Sequence, residues 1–139
     1  MKEKNKTLPF LTFRIGREWY GIDVMIVVEV LQMVTLNLLP GEDTIGMMTL
    51  RDNVMPVIDL RQFFGITEPV YALETPIIAI KGKAGSVGLI VDEADDVAFI
   101  DSTTITPHND NNISATARHD GKVLFILDAD ILIPANDHA

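Results

Sequence analysis

The chain contains no cysteine, which excludes disulfides and any chemistry that needs a thiolate. Basic residues are scarce as well: 11 Lys and Arg stand against 20 Asp and Glu, a formal net charge of -9. Binding to a nucleic-acid duplex rests on cationic side chains that neutralise phosphates. Beyond the lysines near the N-terminus no basic cluster exists, so neither nucleic acid nor an anionic membrane surface is expected as a partner. Long apolar runs are missing too. None exceeds Val24–Val28 in length, far short of a bilayer span, so no membrane insertion is expected. The opening Met1–Lys6 is charged and no apolar segment follows it, so a secretory signal is not expected and a cytoplasmic location is.

What is present is an internal repeat. Leu11-Thr12-Phe13-Arg14-Ile15-Gly16 is followed by Gly21-Ile22-Asp23-Val24 and then Glu29-Val30. Further on, Ile77-Ile78-Ala79-Ile80-Lys81-Gly82 is followed by Gly88-Leu89-Ile90-Val91 and then Asp96-Val97. A later pair matches too, Val54–Asp59 against Val123–Asp128, each after a polar turn. The 139 residues, 47% of them hydrophobic, are expected to form a single domain over 1–139. Its pseudo-repeated halves fall at roughly 8–68 and 75–134 and share one core, because either half alone is near the size at which a core becomes marginal. Two similar units leave a seam between them, a natural place for a partner.

The local signals are mostly β. Residues 8–15 and 76–82 are apolar, rich in Ile, Phe and Thr, and end in Gly or charge. Asp120-Gly121 predicts a two-residue hairpin, since a type I′ turn needs positive φ at both central positions. Asp52-Asn53 is its weaker counterpart. Pro56 predicts an edge strand or a bulge. Asp23 caps either a short helix over Val24–Val28 or the start of a strand. Asp59 opens one helical turn that Gly65 stops, and Asp128–Ile133 is expected to end likewise at Pro134. Thr104–Ser114 reads as a polar loop. Short strands with few helices predict a closed or partly closed barrel, repeated twice.

Three blocks then carry a family resemblance. Phe13-Arg14-Ile15-Gly16-Arg17-Glu18-Trp19-Tyr20-Gly21-Ile22-Asp23-Val24, followed by Val27-Val28-Glu29-Val30, resembles the opening of the CheW family, roughly F-x-L-G-x-E-x-Y-G-I-D-I and then V-x-E-I. Gly46–Leu60 is similar to the family signature G-x-x-N-L-R-G-x-x-x-P-V-I-D-L, and Gly88–Val97 to G-L-x-V-D-x-V-x-D-V. The resemblance implies a mainly β fold of two small interlocked five-stranded barrels with SH3-like sub-barrels and a few short helices. It implies a non-enzymatic adaptor that couples chemoreceptors to a CheA-type histidine kinase in chemotaxis. The seam would receive the cytoplasmic tip of a methyl-accepting chemotaxis protein, and the outer barrel ends would meet the regulatory domain of the kinase. A divergent or auxiliary paralogue fits the departures described next, and a small-ligand-binding module using the seam is the alternative.

The resemblance puts Arg51, Glu29, Val27 and Asp52 at a protein interface. Arg51 matches the family's functional arginine, whose planar fork suits carboxylates. Glu29 sits in an apolar run, and Val27, two residues earlier, shares its face if the segment is a regular strand. Asp52 replaces the signature glycine and is expected to pair with Arg51 or shield it. The region after Pro107 is short and lacks an apolar segment with a second Gly, so one strand of the second barrel is expected to be reduced or an interface there altered. Trp19 and Tyr20 are expected to pack over a barrel end.

Catalysis finds little support. Asp59 and Asp128 match in position, but an aspartic-protease dyad needs a small hydroxyl residue and Gly after each acid, and here Leu60-Arg61 and Ala129-Asp130 follow. Helix capping accounts for both better. His108, His119 and His138 have no metal-ligand spacing, the acid-rich segments do not match a calcium loop, and no Gly-rich phosphate loop or nucleophile elbow is present. No cofactor is expected.

Overall fold

The computed structural model describes residues 6–33, 46–66, 71–82, 85–110 and 112–128. The helical turn expected at Asp128–Ile133 lies beyond them. β-Branched and alternating runs give strands β1 Thr7–Ile15, β2 Glu18–Asp23, β3 Val27–Gln32, β4 Gly46–Leu50, β5 Asn53–Asp59, β6 Pro76–Gly82, β7 Gly85–Ile90, β8 Glu93–Asp101, β9 Thr106–Asp110, β10 Ile113–His119 and β11 Lys122–Leu127. One helical turn, α1 Leu60–Phe63, follows β5, and 3-10 turns span Val24–Ile26 and Ser102–Thr104. Each of these turns is capped by an aspartate that accepts a backbone N–H two residues on: Asp23 from Met25 at 2.9 Å, Asp59 from Arg61 at 3.0 Å and Asp101 from Thr103 at 2.9 Å. The segment after Asp23 is therefore both alternatives in turn, one 3-10 turn and then a strand.

Turn chemistry sets the hairpins. Asp120 and Gly121 take φ of 54° and 75°, the expected turn with positive φ at both positions. The counterpart in the first half is displaced by one residue. Leu50 pairs with Asn53, so the central residues are Arg51 and Asp52, at φ 52° and 70°. Pro56 is not at an edge: β5 lies between β4 and β7. The parallel ladder to β7 opens only at Val57, one residue beyond the missing N–H. The expected polar loop is also corrected. Thr106–Asp110 is a short strand paired with β10 across a register shift. At the sheet edge one face is solvated, so polar residues suffice, and Asn112 at φ 69° supplies the left-handed turn position that glycine would otherwise fill.

The strands form two sheets, ordered β8-β1-β2-β11-β10-β9 and β3-β6-β7-β5-β4. Each sheet mixes the two halves of the repeat. The β1–β2 hairpin lies between β8 and β11, and the β6–β7 hairpin lies between β3 and β5. The exchanged hairpins meet the other half through short parallel ladders, Trp19↔Leu124 to Gly21↔Ile126 and Gly88↔Val57 to Ile90↔Asp59. The repeated glycines sit at these junctions. A Cβ on Gly21 would come within 3.2 Å of Ile126, and one on Gly88 within 2.9 Å of Met48 and 3.1 Å of Ile77.

The core follows from the two faces of each sheet. A central cluster, including Phe13, Ile22, Leu60, Ile78, Ile80 and Leu89, lies between the sheets. The opposite face of the first sheet buries Phe10, Ile100, Ala117, Leu124 and Ile126, and that of the second buries Met48, Met55, Val57, Ile77 and Ile90. Tyr20 belongs to the central cluster, stacked on Phe13 at 5.6 Å and Phe64 at 5.1 Å, rather than capping a barrel end.

Candidate functional site

Arg51 stands on the tight turn between β4 and β5, and its Nη1 donates to Glu29 Oε1 of β3. β3 and β4 are the opposite edges of the five-stranded sheet. The ion pair therefore reaches from one edge to the other of a sheet curled on itself. The Arg51 side chain is 67% exposed, so the pair adds at most ~1 kcal/mol of stability and leaves most of the guanidinium free to meet a partner. Asp52 is exposed and makes no ion pair with Arg51 among the described residues. In place of the expected pairing with Asp52, Arg51 pairs with Glu29.

Val27 and Glu29 do not share a face. Val27 pairs with Ile80 and Glu29 with Ala79, with a bulge between them. Ile80 lies in the central core and Ala79 in the core of the second sheet. The extra residue reverses the two-residue alternation. Val27 packs against the central core, while Glu29 turns toward the barrel end and Arg51. Val30, opposite Ile78, returns to the seam side at 42% exposure. Its repeat equivalent Val97, opposite Leu11 on β8, is 40% exposed. Phe99, two residues further, is exposed too. An open groove of about 440 Å³ runs where the ends of β3 and β8 approach, lined by Val30, Leu31, Pro76 and Ala94 with Glu74 and Glu93 at its rim.

Behind this seam is a buried polar network that the residue pattern did not announce. Arg61 is 4% exposed and Asp59 2%. Nε and Nη2 of Arg61 donate to Asp59 Oδ1 and Oδ2 at 3.0 and 3.1 Å, and Nη1 to Asp92 Oδ1 at 3.4 Å. Tyr71 Oη donates to Asp59 Oδ2 at 2.6 Å, and its ring lies 4.9 Å from the guanidinium carbon. The second oxygen of Asp92 accepts the Gly16 N–H at 2.7 Å. The network thus ties the β1–β2 turn of the first sheet to α1 beside the second. Burial alone lowers the Arg61 pKa, but the hydrogen bonds and charges of Asp59 and Asp92 outweigh it, so the net shift is upward. Desolvation of the Tyr71 hydroxyl, then its bond to Asp59, pushes that phenol up to about 12. Asp-Leu-Arg at 59–61 was the available signal, a cap followed two residues later by a cation, but nothing marked Tyr71.

The site is one of surfaces and ion pairs. Asp59 is engaged by its cap, Arg61 and Tyr71, which suits a fixed carboxylate rather than a proton-sharing dyad. Among the described residues no group of three or more His, Cys, Asp or Glu is placed to hold a metal ion, and no helix is long and apolar enough to cross a membrane.

Comparisons with known proteins agree with this arrangement. The chain is 30% identical over 132 residues to the chemotaxis protein CheW of Bacillus subtilis, covering 88% of this chain and 85% of that protein. It is 33% identical over 100 residues to CheW of Klebsiella aerogenes, covering 70% and 60%, and 26% identical over 108 residues to that of Helicobacter pylori, covering 76% and 66%. The matched part thus spans about two thirds or less of the latter two proteins. The crystal structure of the scaffolding protein TtCheW from Thermoanaerobacter tengcongensis superposes with a TM-score of 0.85 at 30% identity, over 94% of each chain. The CheW-like domain model itself matches residues 9–136. With the two-sheet fold matched over nearly its whole length, the chain belongs to the CheW-like domain family.

Proposed function

We propose that this chain is a non-catalytic chemotaxis coupling adaptor, cytoplasmic and recruited to receptor arrays. It holds the cytoplasmic tip of a chemoreceptor in the seam and joins it to the regulatory domain of a CheA-type histidine kinase. The observation that carries this reading is the pair of equivalent edge positions, Val30 on β3 and Val97 on β8, left 42% and 40% exposed on the seam side of their strands. Apolar side chains left exposed at equivalent edge positions of the two sheets, Val30 in the groove itself, suit a helical partner that buries an apolar face. Arg51 beside Glu29 supplies a charged contact at the adjoining barrel end, with Asp52 next to it and Val27 supporting β3 from the core. The groove is open along its length, which favours an elongated protein segment over an enclosed small molecule.

Co-sedimentation tests the reading. The chain is expected to pellet with receptor-containing membranes and CheA-type kinase at micromolar concentration. If it joined neither component, the coupling role would be wrong. Val30→Asp with Val97→Asp should abolish receptor association without unfolding the chain, since both positions are half-exposed.

A further inference from the structure

A second cleft, of about 270 Å³, opens beside the interior of the first sheet and shares no lining residue with the seam groove. Its apolar wall is Trp19 and Leu124, neighbours across the parallel β2–β11 ladder. Lys122, two residues before Leu124 on the same face of β11, sets its ammonium nitrogen 4.3 Å from the centre of the Trp19 ring. The indole face is therefore already a cation-binding surface, occupied by the chain's own side chain.

The opposite wall is built by a bulge. Leu11 pairs with Val97 and Phe13 with Ala94, so Thr12 alone faces both Asp95 and Asp96. Thr12 is buried, and its hydroxyl donates to the Asp96 carbonyl at 2.8 Å, which pins the bulge in place. Bulges re-aim side chains, and here Asp95 and Asp96 both line the cleft. Neither has an ion-pair partner among the described residues, while the nearby Asp120 lies 3.6 Å from His119. Three carboxylates thus share a cleft with the single ammonium of Lys122.

An aromatic face, two carboxylates without an ion-pair partner among the described residues and a resident cation point to the class of ligand. We propose that this cleft is a socket for a guanidinium group, supplied by an arginine side chain of a protein partner. A planar guanidinium stacks on indole while donating to carboxylates at its edge, and it would displace Lys122 from the ring. Val97 also lines this cleft, but Trp19, Lys122, Asp95 and Asp96, which carry the proposal and its test, are not assigned to receptor coupling, so its failure would leave that reading untouched.

Trp19 is the single tryptophan of the chain, so its emission reports on the socket directly. Titration with N-acetyl-arginine amide should change that emission saturably, while the neutral isostere N-acetyl-citrulline amide should not. Lys122→Met, which removes the competing ammonium, should tighten the arginine response about tenfold. Asp95→Asn with Asp96→Asn, both at exposed positions, should weaken it at least tenfold with an unchanged melting temperature. No saturable response in Lys122→Met, or an equal response to the citrulline compound, would overturn the socket. Methylguanidinium binding as tightly as the capped arginine would overturn its assignment to a protein side chain.

Discussion

Glu29 and Arg51 are 22 residues apart in sequence, one on edge strand β3 and the other on the turn after the opposite edge strand β4, yet they form an ion pair. Their proximity gives the exposed arginine a fixed position, because Glu29 is half-buried on its strand. On the coupling reading, a partner carboxylate would share or take over the guanidinium that Glu29 holds.

On the coupling reading, Arg51→Glu places a third carboxylate beside Glu29 and Asp52. Like charges at a desolvated contact cost several kcal/mol, so receptor or kinase affinity should fall by roughly two orders of magnitude or more. Stability should change by no more than ~1 kcal/mol, since the pair is exposed. Calorimetric titration beside thermal melts checks both parts. Unchanged affinity in a folded variant would place the interface elsewhere, and lost folding would make Arg51 structural.

Asp52 sits at φ 70° and Arg51 at φ 52°, two successive non-glycine residues in the left-handed region. Relieving one of them should help. Asp52→Gly is expected to stabilise by about 1 kcal/mol and to raise the melting temperature by a few degrees. It also removes a carboxylate adjoining Arg51, so affinity for an acidic partner surface should rise. A lower melting temperature would show that the Asp52 side chain supports the turn.

Arg61→Met leaves Asp59 buried without its cation, and removal of one partner of a buried pair costs ~3–5 kcal/mol. Arg61→Lys should rescue little, because an ammonium cannot reproduce the bidentate contact. Asp59→Leu with Arg61→Met should recover part of the loss, since apolar side chains replace both buried charges. Denaturant midpoints compare the three variants. A tolerated Arg61→Met would mean that the network contributes no stability.

Tyr71 gives the same network a pH signature. Its folded pKa of about 12 lies above the ordinary 10.0. For a raised group, the stabilisation is complete below pH 10 and is lost as pH rises through 12. Stability should decline across that window, and Tyr71→Phe should flatten the decline. Equal slopes for the two proteins would detach Tyr71 from the effect.

Gly88→Ala tests the strand exchange. The added methyl meets Met48 Cε, the flexible end of its side chain, and also Ile77 Cγ2, which is fully buried. Methionine can yield and isoleucine cannot, so a loss of ~1–3 kcal/mol is expected. Gly65→Ala is the contrast. A Cβ there meets nothing within 4 Å, and only its φ of 95° opposes the change.

The β class, the Asp120-Gly121 hairpin and the Asp59 cap were legible because each rests on local chemistry. Misread features depended on partners distant in sequence. The bulge that separates Val27 from Glu29 exists only in register with β6, and the same-face expectation failed there. The polar strand Thr106–Asp110 is held by β10 rather than by its own hydrophobicity. Asp52 looked like the natural partner of Arg51 by adjacency, but Glu29 was nearer in space. The Arg61 network joins four stretches of chain, of which only Asp59-Leu60-Arg61 is contiguous.

The exchange of hairpins also decides when the molecule can fold. The first sheet takes four of its six strands, β8 to β11, from the later half, and Trp19 finds its parallel neighbour at Leu124. On the ribosome the β1–β2 hairpin must therefore wait, one apolar face uncovered, until β11 has emerged. A nascent chain stalled after α1 would display that hairpin to any second copy able to supply the absent strands.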